Sequence, residues 1–145
     1  MVLPKQKFRE VVFQLLYSFD FVKIEDDEEI IPFLMHQLKI TKKSMKEAQE
    51  RIHLVQEKEK EIDLLITHAS QGYSFERITR VEKNILRLGC YEMLFDESIP
   101  PKVAMTEAVR LARKFATPEG GAFVNGVLDA IFSQKEVKDD STCTV

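Results

Sequence analysis

Apolar residues recur at every third or fourth position along nearly the whole chain, and that rhythm constrains the fold to packed α-helices. Phe8, Val11, Val12, Leu15, Leu16 and Phe19 trace the first amphipathic stripe, with Pro4 suited to its opening turn. A second helix is predicted where Ile30, Ile31, Phe33, Leu34 and Leu38 follow the acidic stretch Glu25 to Glu29, itself a solvated helix start. Beyond Thr41 the inward positions Met45, Ala48, Ile52, Val55, Ile62, Leu65, Ile66 and Ala69 describe one long charged helix ended by Gly72. Glu59 interrupts that seam, so a bundle helix is expected and not a coiled coil. Thr79 and Glu82 form a capping box ahead of Val81, Ile85, Leu86, Leu88 and Phe95, which mark a buried helix. Pro100 and Pro101 stop it and open the next, whose stripe is Ala104, Ala108, Leu111, Ala112 and Phe115. The small residues there permit close approach of another helix.

Thr117 and Pro118 read as the N-cap and first position of a last helix bearing Phe123, Val124, Val127, Leu128, Ile131 and Phe132. Asn125-Gly126 would suit a hairpin, but its flanks keep helical spacing, so Gly126 is expected to admit a neighbouring helix. Residues 1–133 then form one all-helical domain, and 134–145 a polar tail.

Composition narrows the function. With 44% hydrophobic and 31% charged residues the chain is globular, not disordered. Twenty-one Lys and Arg against 24 Asp and Glu give a formal charge of -3, so any polyanion must be met by a local patch. Cys90 and Cys143 make no disulfide or zinc framework, which points to a reducing cytoplasmic setting. Met1 to Phe8 lacks the apolar core of a secretory signal, and no run is long enough to span a membrane.

No catalytic constellation emerges. His53 and Glu57 share a helix face, yet a metal site needs further ligands, and His36 and His68 stand without obvious partners. No metal or cofactor is therefore expected. Gly120-Gly121 at a helix start could face a phosphate or merely tighten a turn. Lys5, Lys7 and Arg9 cluster on the first helix; helical geometry sets Lys7, Glu10, Gln14 and Tyr17 on one polar side, with Lys5 and Arg9 nearer the opposite border. Composition alone makes this an ordinary solvated face.

The second half changes that reading. The run Arg80-Val81-Glu82-Lys83-Asn84-Ile85-Leu86-Arg87-Leu88-Gly89-Cys90-Tyr91-Glu92, then Ile99-Pro100-Pro101-Lys102-Val103-Ala104 with Glu107-Ala108, resembles the NusB family of bacterial transcription antitermination factors. Leu111-Ala112-Arg113-Lys114-Phe115 and Phe123-Val124-Asn125-Gly126-Val127-Leu128-Asp129 follow in that family's order and spacing, and Gln14, Leu16 and Tyr17 match its first helix. The likeness is dense from residue 79 to 129 and thin between 21 and 75.

The resemblance implies two packed three-helix bundles and a non-enzymatic factor that binds single-stranded boxA leader RNA. It also implies the small-subunit ribosomal protein NusE as partner, and a place in the antitermination complex on RNA polymerase at ribosomal RNA operons. It places Tyr17, Glu82, Glu119 and Phe123 on or near the RNA surface, beside the first helix with Lys5, Lys7, Arg9 and Gln14. Unpaired bases stack on aromatic rings and offer their edges to side-chain acceptors. Each residue has a plain alternative: Phe123 as core, Glu82 as capping carboxylate alone, Glu119 as complement to the helix dipole, and Tyr17 as a contact for NusE. The chain departs from the family in its short basic run and in Ala122 and Gly120-Gly121, where more polar or basic residues are common. Stronger dependence on the protein partner is expected. Competing readings are a protein-only helical adaptor and a NusB-like domain of the kind that precedes ribosomal RNA methyltransferases, although no catalytic domain follows here. The oligomeric state, a homodimer included, stays open.

Overall fold

The computed structural model describes residues 3–21, 30–70 and 74–143, with side chains to residue 136. Glu25 to Glu29 and Gly72, given roles above, lie outside the described residues. The elements are α1 (Lys5–Phe21), α2 (Ile30–Leu38), α3 (Lys42–Glu57), α4 (Glu59–Ala69), a 3-10 turn (Phe75–Arg77), α5 (Arg80–Phe95), α6 (Pro101–Phe115) and α7 (Pro118–Cys143). Among the described residues there is no strand, and no helix is long and apolar enough to cross a membrane. The chain divides into two compact units, Met1–Glu57 and Lys58–Val145.

In the first unit α1 packs along α3. Val11, Val12, Leu15, Leu16 and Phe19 are buried on α1, and Met45, Ala48, Ile52 and Val55 on α3, as the apolar spacing predicts; Phe13, outside that stripe, is buried as well, whereas Phe8 is half-buried. Each large aliphatic side chain contributes about 2 kcal/mol on burial against about 1 kcal/mol for a cap, so packing holds α3 more than its ends do. The ends are nevertheless finished. The Ser44 N–H donates to Thr41 Oγ1 at 3.1 Å. At the end of α2, Lys39 adopts φ 56°, while its N–H donates to His36 O and that of Ile40 to Met35 O. That paired pattern closes a helix through a left-handed residue, a position usually given to glycine. α2 departs from expectation in another way: none of its residues is buried, and Phe33 is 59% exposed.

The single helix expected from Thr41 to Gly72 is broken. Lys58, at φ -102° and ψ 4°, separates α3 from α4, so that α4 begins in the second unit with α5, α6 and α7. The break falls where Glu59 interrupts the apolar seam. Glu59 and its neighbour instead engage α5, Glu59 Oε1 lying 3.2 Å from Arg87 Nη1 and the Lys58 ammonium 5.1 Å from the centre of the Phe95 ring.

Within the second unit α5 is buried from Asn84 to Met93, while its first turn and its last two residues, Leu94 and Phe95, are more accessible. α6 and α7 pack on it and on each other. Both approach α5 tightly at Gly89, where a Cβ would lie 3.0 Å from Ala108 Cβ and 3.2 Å from Leu128 Cδ1. Buried Ala104, Ala108 and Ala112 keep α6 thin enough for this crossing, as expected. Gly126 does not share that role: a Cβ there would meet nothing within 4 Å. It occupies the exposed side of α7, opposite the buried stripe Val124, Val127, Leu128 and Ile131, and the helix runs on past residue 133.

A partly buried ion pair joins α4 to α5. Arg87 binds Asp63 through two parallel bonds, Nε to Oδ1 at 2.9 Å and Nη2 to Oδ2 at 3.0 Å. The adjoining Cys90 is wholly buried, and loss of hydration, with Asp63 and Glu61 adding to it, pushes its thiol up to about 12. It is a neutral core residue at physiological pH, not a nucleophile.

Candidate nucleic-acid interface

Two helix starts meet in the second unit. Thr79 caps α5: its Oγ1 accepts from the Glu82 N–H at 3.2 Å, and its hydroxyl donates to Glu82 Oε1 at 2.6 Å. The Glu82 carboxylate is thus held by the same hydroxyl that caps its own backbone. At α7, Thr117 Oγ1 accepts from the Gly120 N–H at 2.9 Å and its carbonyl from the Gly121 N–H at 3.0 Å, the N-cap expected from Thr117-Pro118. A Cβ on Gly120 would lie 3.7 Å from Glu82 Oε2. Residues distant in sequence are therefore neighbours: Glu82 rests against the first turn of α7, which carries exposed Glu119, while half-buried Phe123 follows on the next turn.

Phe123 is neither a core residue nor a free one. Val124 takes the inward position at 0% exposure, and Phe123 stands at the edge of the stripe, with a contact of its own inside the protein. Exposed Ala122 precedes it.

On the other side of the same turn lies Arg113 from the end of α6, a residue that sequence reasoning passed over. A Cβ on Gly121 would stand 3.2 Å from Arg113 Cγ and 3.6 Å from its Nε. Gly120 and Gly121, both buried, thus leave room for two side chains, one acidic and one basic.

The first-unit residues are arranged less simply than the sequence suggests. Lys5 and Lys7 are exposed, but Arg9 and Glu10 are each only 8% exposed, and both have partners within the protein. Periodicity placed Arg9 at the border of the stripe and Glu10 on the polar side, whereas α1 is covered around more of its circumference at that level. The surface cations of this helix start are therefore Lys5 and Lys7. Gln14 and Tyr17 are half-buried; Ser18 Oγ donates to the Gln14 carbonyl at 2.9 Å, and the Tyr17 ring meets Phe21 edge-on at 5.0 Å. These residues belong to the first unit and Glu82, Glu119 and Phe123 to the second.

Such side chains suit recognition. Carboxylates accept from base amino groups, aromatic faces stack on bases, and lysines and arginines meet phosphates. Among the described residues no group of three metal-ligating side chains forms.

Known proteins share this arrangement of helices. The NusB family model matches residues 6–133. A transcription antitermination protein NusB of Chlamydia pneumoniae is 33% identical over 138 residues, covering 95% of this chain and 86% of its own length. Another from Thermotoga sp. (strain RQ2) is 34% identical over 139 residues, covering 96% of this chain and 97% of the relative. Among solved structures, T. maritima NusB matches with a TM-score of 0.73 at 33% identity, covering 90% of this chain and 92% of that one. A chain from the crystal structure of antitermination factors NusB and NusE in complex with dsRNA gives 0.74 at 30% identity, covering 90% and 96%. Family profile, curated relatives and three-dimensional match span both units and agree with the motifs of residues 79 to 129: the chain belongs to the NusB family.

Proposed function

We propose that this protein is a non-enzymatic RNA-binding transcription antitermination factor that acts with NusE. The observation carrying this reading is the relative, 30% identical across 90% of this chain, that occurs in a complex with NusE and dsRNA. Its RNA is the single-stranded boxA element of ribosomal RNA leaders, and its place is the antitermination complex on RNA polymerase in the cytoplasm, where it supports processive elongation and ribosomal RNA maturation. Unpaired RNA is favoured because the candidate residues are acceptors and aromatic rings, which read exposed base edges and faces, whereas a duplex hides its edges in a narrow groove. Glu82 and Glu119 accept from bases and Phe123 stacks in the second unit, while Tyr17 and Gln14 offer contacts of their own on α1 in the first. Lys5 and Lys7 hold phosphates, with Arg9 supporting them from its buried position.

With two surface lysines at α1 and an overall charge of -3, RNA binding alone is weak, and NusE raises it by about 5- to 150-fold, the usual span of coupling between two sites. The test titrates labelled boxA and scrambled single strands into the protein, with and without NusE, at two salt concentrations. The expected result is saturable binding that prefers boxA, strengthens with NusE and weakens as salt rises. Absence of saturable binding to either RNA, even with NusE, would leave the protein-only adaptor.

A further inference from the structure

Arg113 and Glu82 lie against adjacent glycines of one helical turn, and successive residues of a helix point about 100° apart. The acidic and the basic side chain therefore approach the start of α7 from different sides. The stem of Arg113 rests where Gly121 carries no side chain, Cγ at 3.2 Å and Nε at 3.6 Å from the missing Cβ. Arg113 is nevertheless exposed. Among the described residues the arginine ion pairs of Arg87 with Glu59 and Asp63, and of Arg110 with Glu107, leave Arg113 out. An arginine whose stem is already laid down loses less freedom on binding than a free one, and its fork of donors matches a phosphate.

We infer that Arg113 is a further RNA-contacting residue, taking a backbone phosphate beside the nucleotide whose base edge meets Glu82. The inference rests on the RNA-binding reading above and extends it. A carboxylate repels phosphate and accepts from a base; a guanidinium does the reverse. Flanking one turn with the two orients a nucleotide, base toward α5 and backbone toward α6, while Phe123 offers a ring one turn further along. Arg113 also supplies the cation that exposed Ala122 does not.

The experiment measures boxA affinity in the presence of NusE over a series of salt concentrations for Arg113→Gln, Arg113→Lys and Gly121→Ala. Lys135→Gln serves as a control, removing an exposed cation about 21 Å along α7 from Gly121. Arg113→Gln is expected to weaken binding about tenfold, as for a charged hydrogen bond, and to reduce the slope of log K against log salt by about 0.7. Scrambled RNA should lose affinity in the same proportion, because a phosphate contact carries no sequence information. Arg113→Lys should restore the slope, and Gly121→Ala should weaken binding by pressing on the arginine stem. If Arg113→Gln matches Lys135→Gln in affinity and slope, the inference is overturned, even should the melting temperature fall. Wild-type protein that binds no RNA would instead overturn the functional reading and this inference together.

Discussion

Replacing Arg87 with methionine is expected to cost the fold about 3 kcal/mol, near the low end for breaking a buried ion pair by removing one partner. Methionine keeps much of the apolar stem but abandons two carboxylates that face α5, Asp63 in its two-bond pair and Glu59 at 3.2 Å. Their side chains are 24% and 42% exposed, so water recovers part of the loss and holds the cost below that of a fully enclosed pair. In thermal unfolding the change should appear as a drop of about 10 °C. Arg87→Met combined with Asp63→Leu should regain much of it, because an apolar pair of similar volume replaces the ionic one without leaving a charge behind. A single substitution that moved stability by less than about 0.5 kcal/mol would mean that the pair does not tie α4 to α5.

Phe123→Ala should weaken boxA binding by about 1 to 3 kcal/mol, the range for losing one base stack, while the protein remains folded. The geometry separates this from a core effect. Truncating a buried phenylalanine costs about 3 to 5 kcal/mol of stability, but Phe123 is half-buried beside a fully enclosed Val124, so its contribution to the fold is smaller. Phe123→Tyr keeps an aromatic face and should retain most of the affinity. Equal losses for tyrosine and alanine, or unfolding of the alanine variant, would make Phe123 a packing residue.

Sequence periodicity carries far in this protein because burial on a helix repeats locally. The stripes of α1, α3, α5, α6 and α7 and the caps at Thr79 and Thr117 follow from residues a few positions apart. What it misses depends on residues brought from elsewhere. Val55 and Ile62 keep their register across Lys58, so the interruption at Glu59 reads locally as a polar position within one helix; the structure breaks there, and Glu59 turns to Arg87 on a different helix. Burial of Arg9 and Glu10 was hidden for a related reason, since a stripe shows which face is apolar but not how far around the helix its neighbours reach.

The glycines make the same point. Gly89 and Gly126 both stand in apolar helices, but only the crossing with Ala108 and Leu128 tells which one needs to be glycine. At the candidate interface, the capping box reveals Glu82, whereas its placement against Gly120, and that of Arg113 against Gly121, arises from the packing of α5 and α6 on α7. Opposed charges around one turn leave no periodic trace.

Amide NMR spectra of 15N-labelled protein, saturated with unlabelled NusE and then titrated with boxA strand, test most directly where RNA lands. The predicted response on adding RNA is a set of shifts centred on Glu82, Gly120, Gly121 and Phe123, joined by Lys7 and Tyr17 on α1. Shifts confined to other surfaces, such as α2 or the far end of α7, would contradict the account.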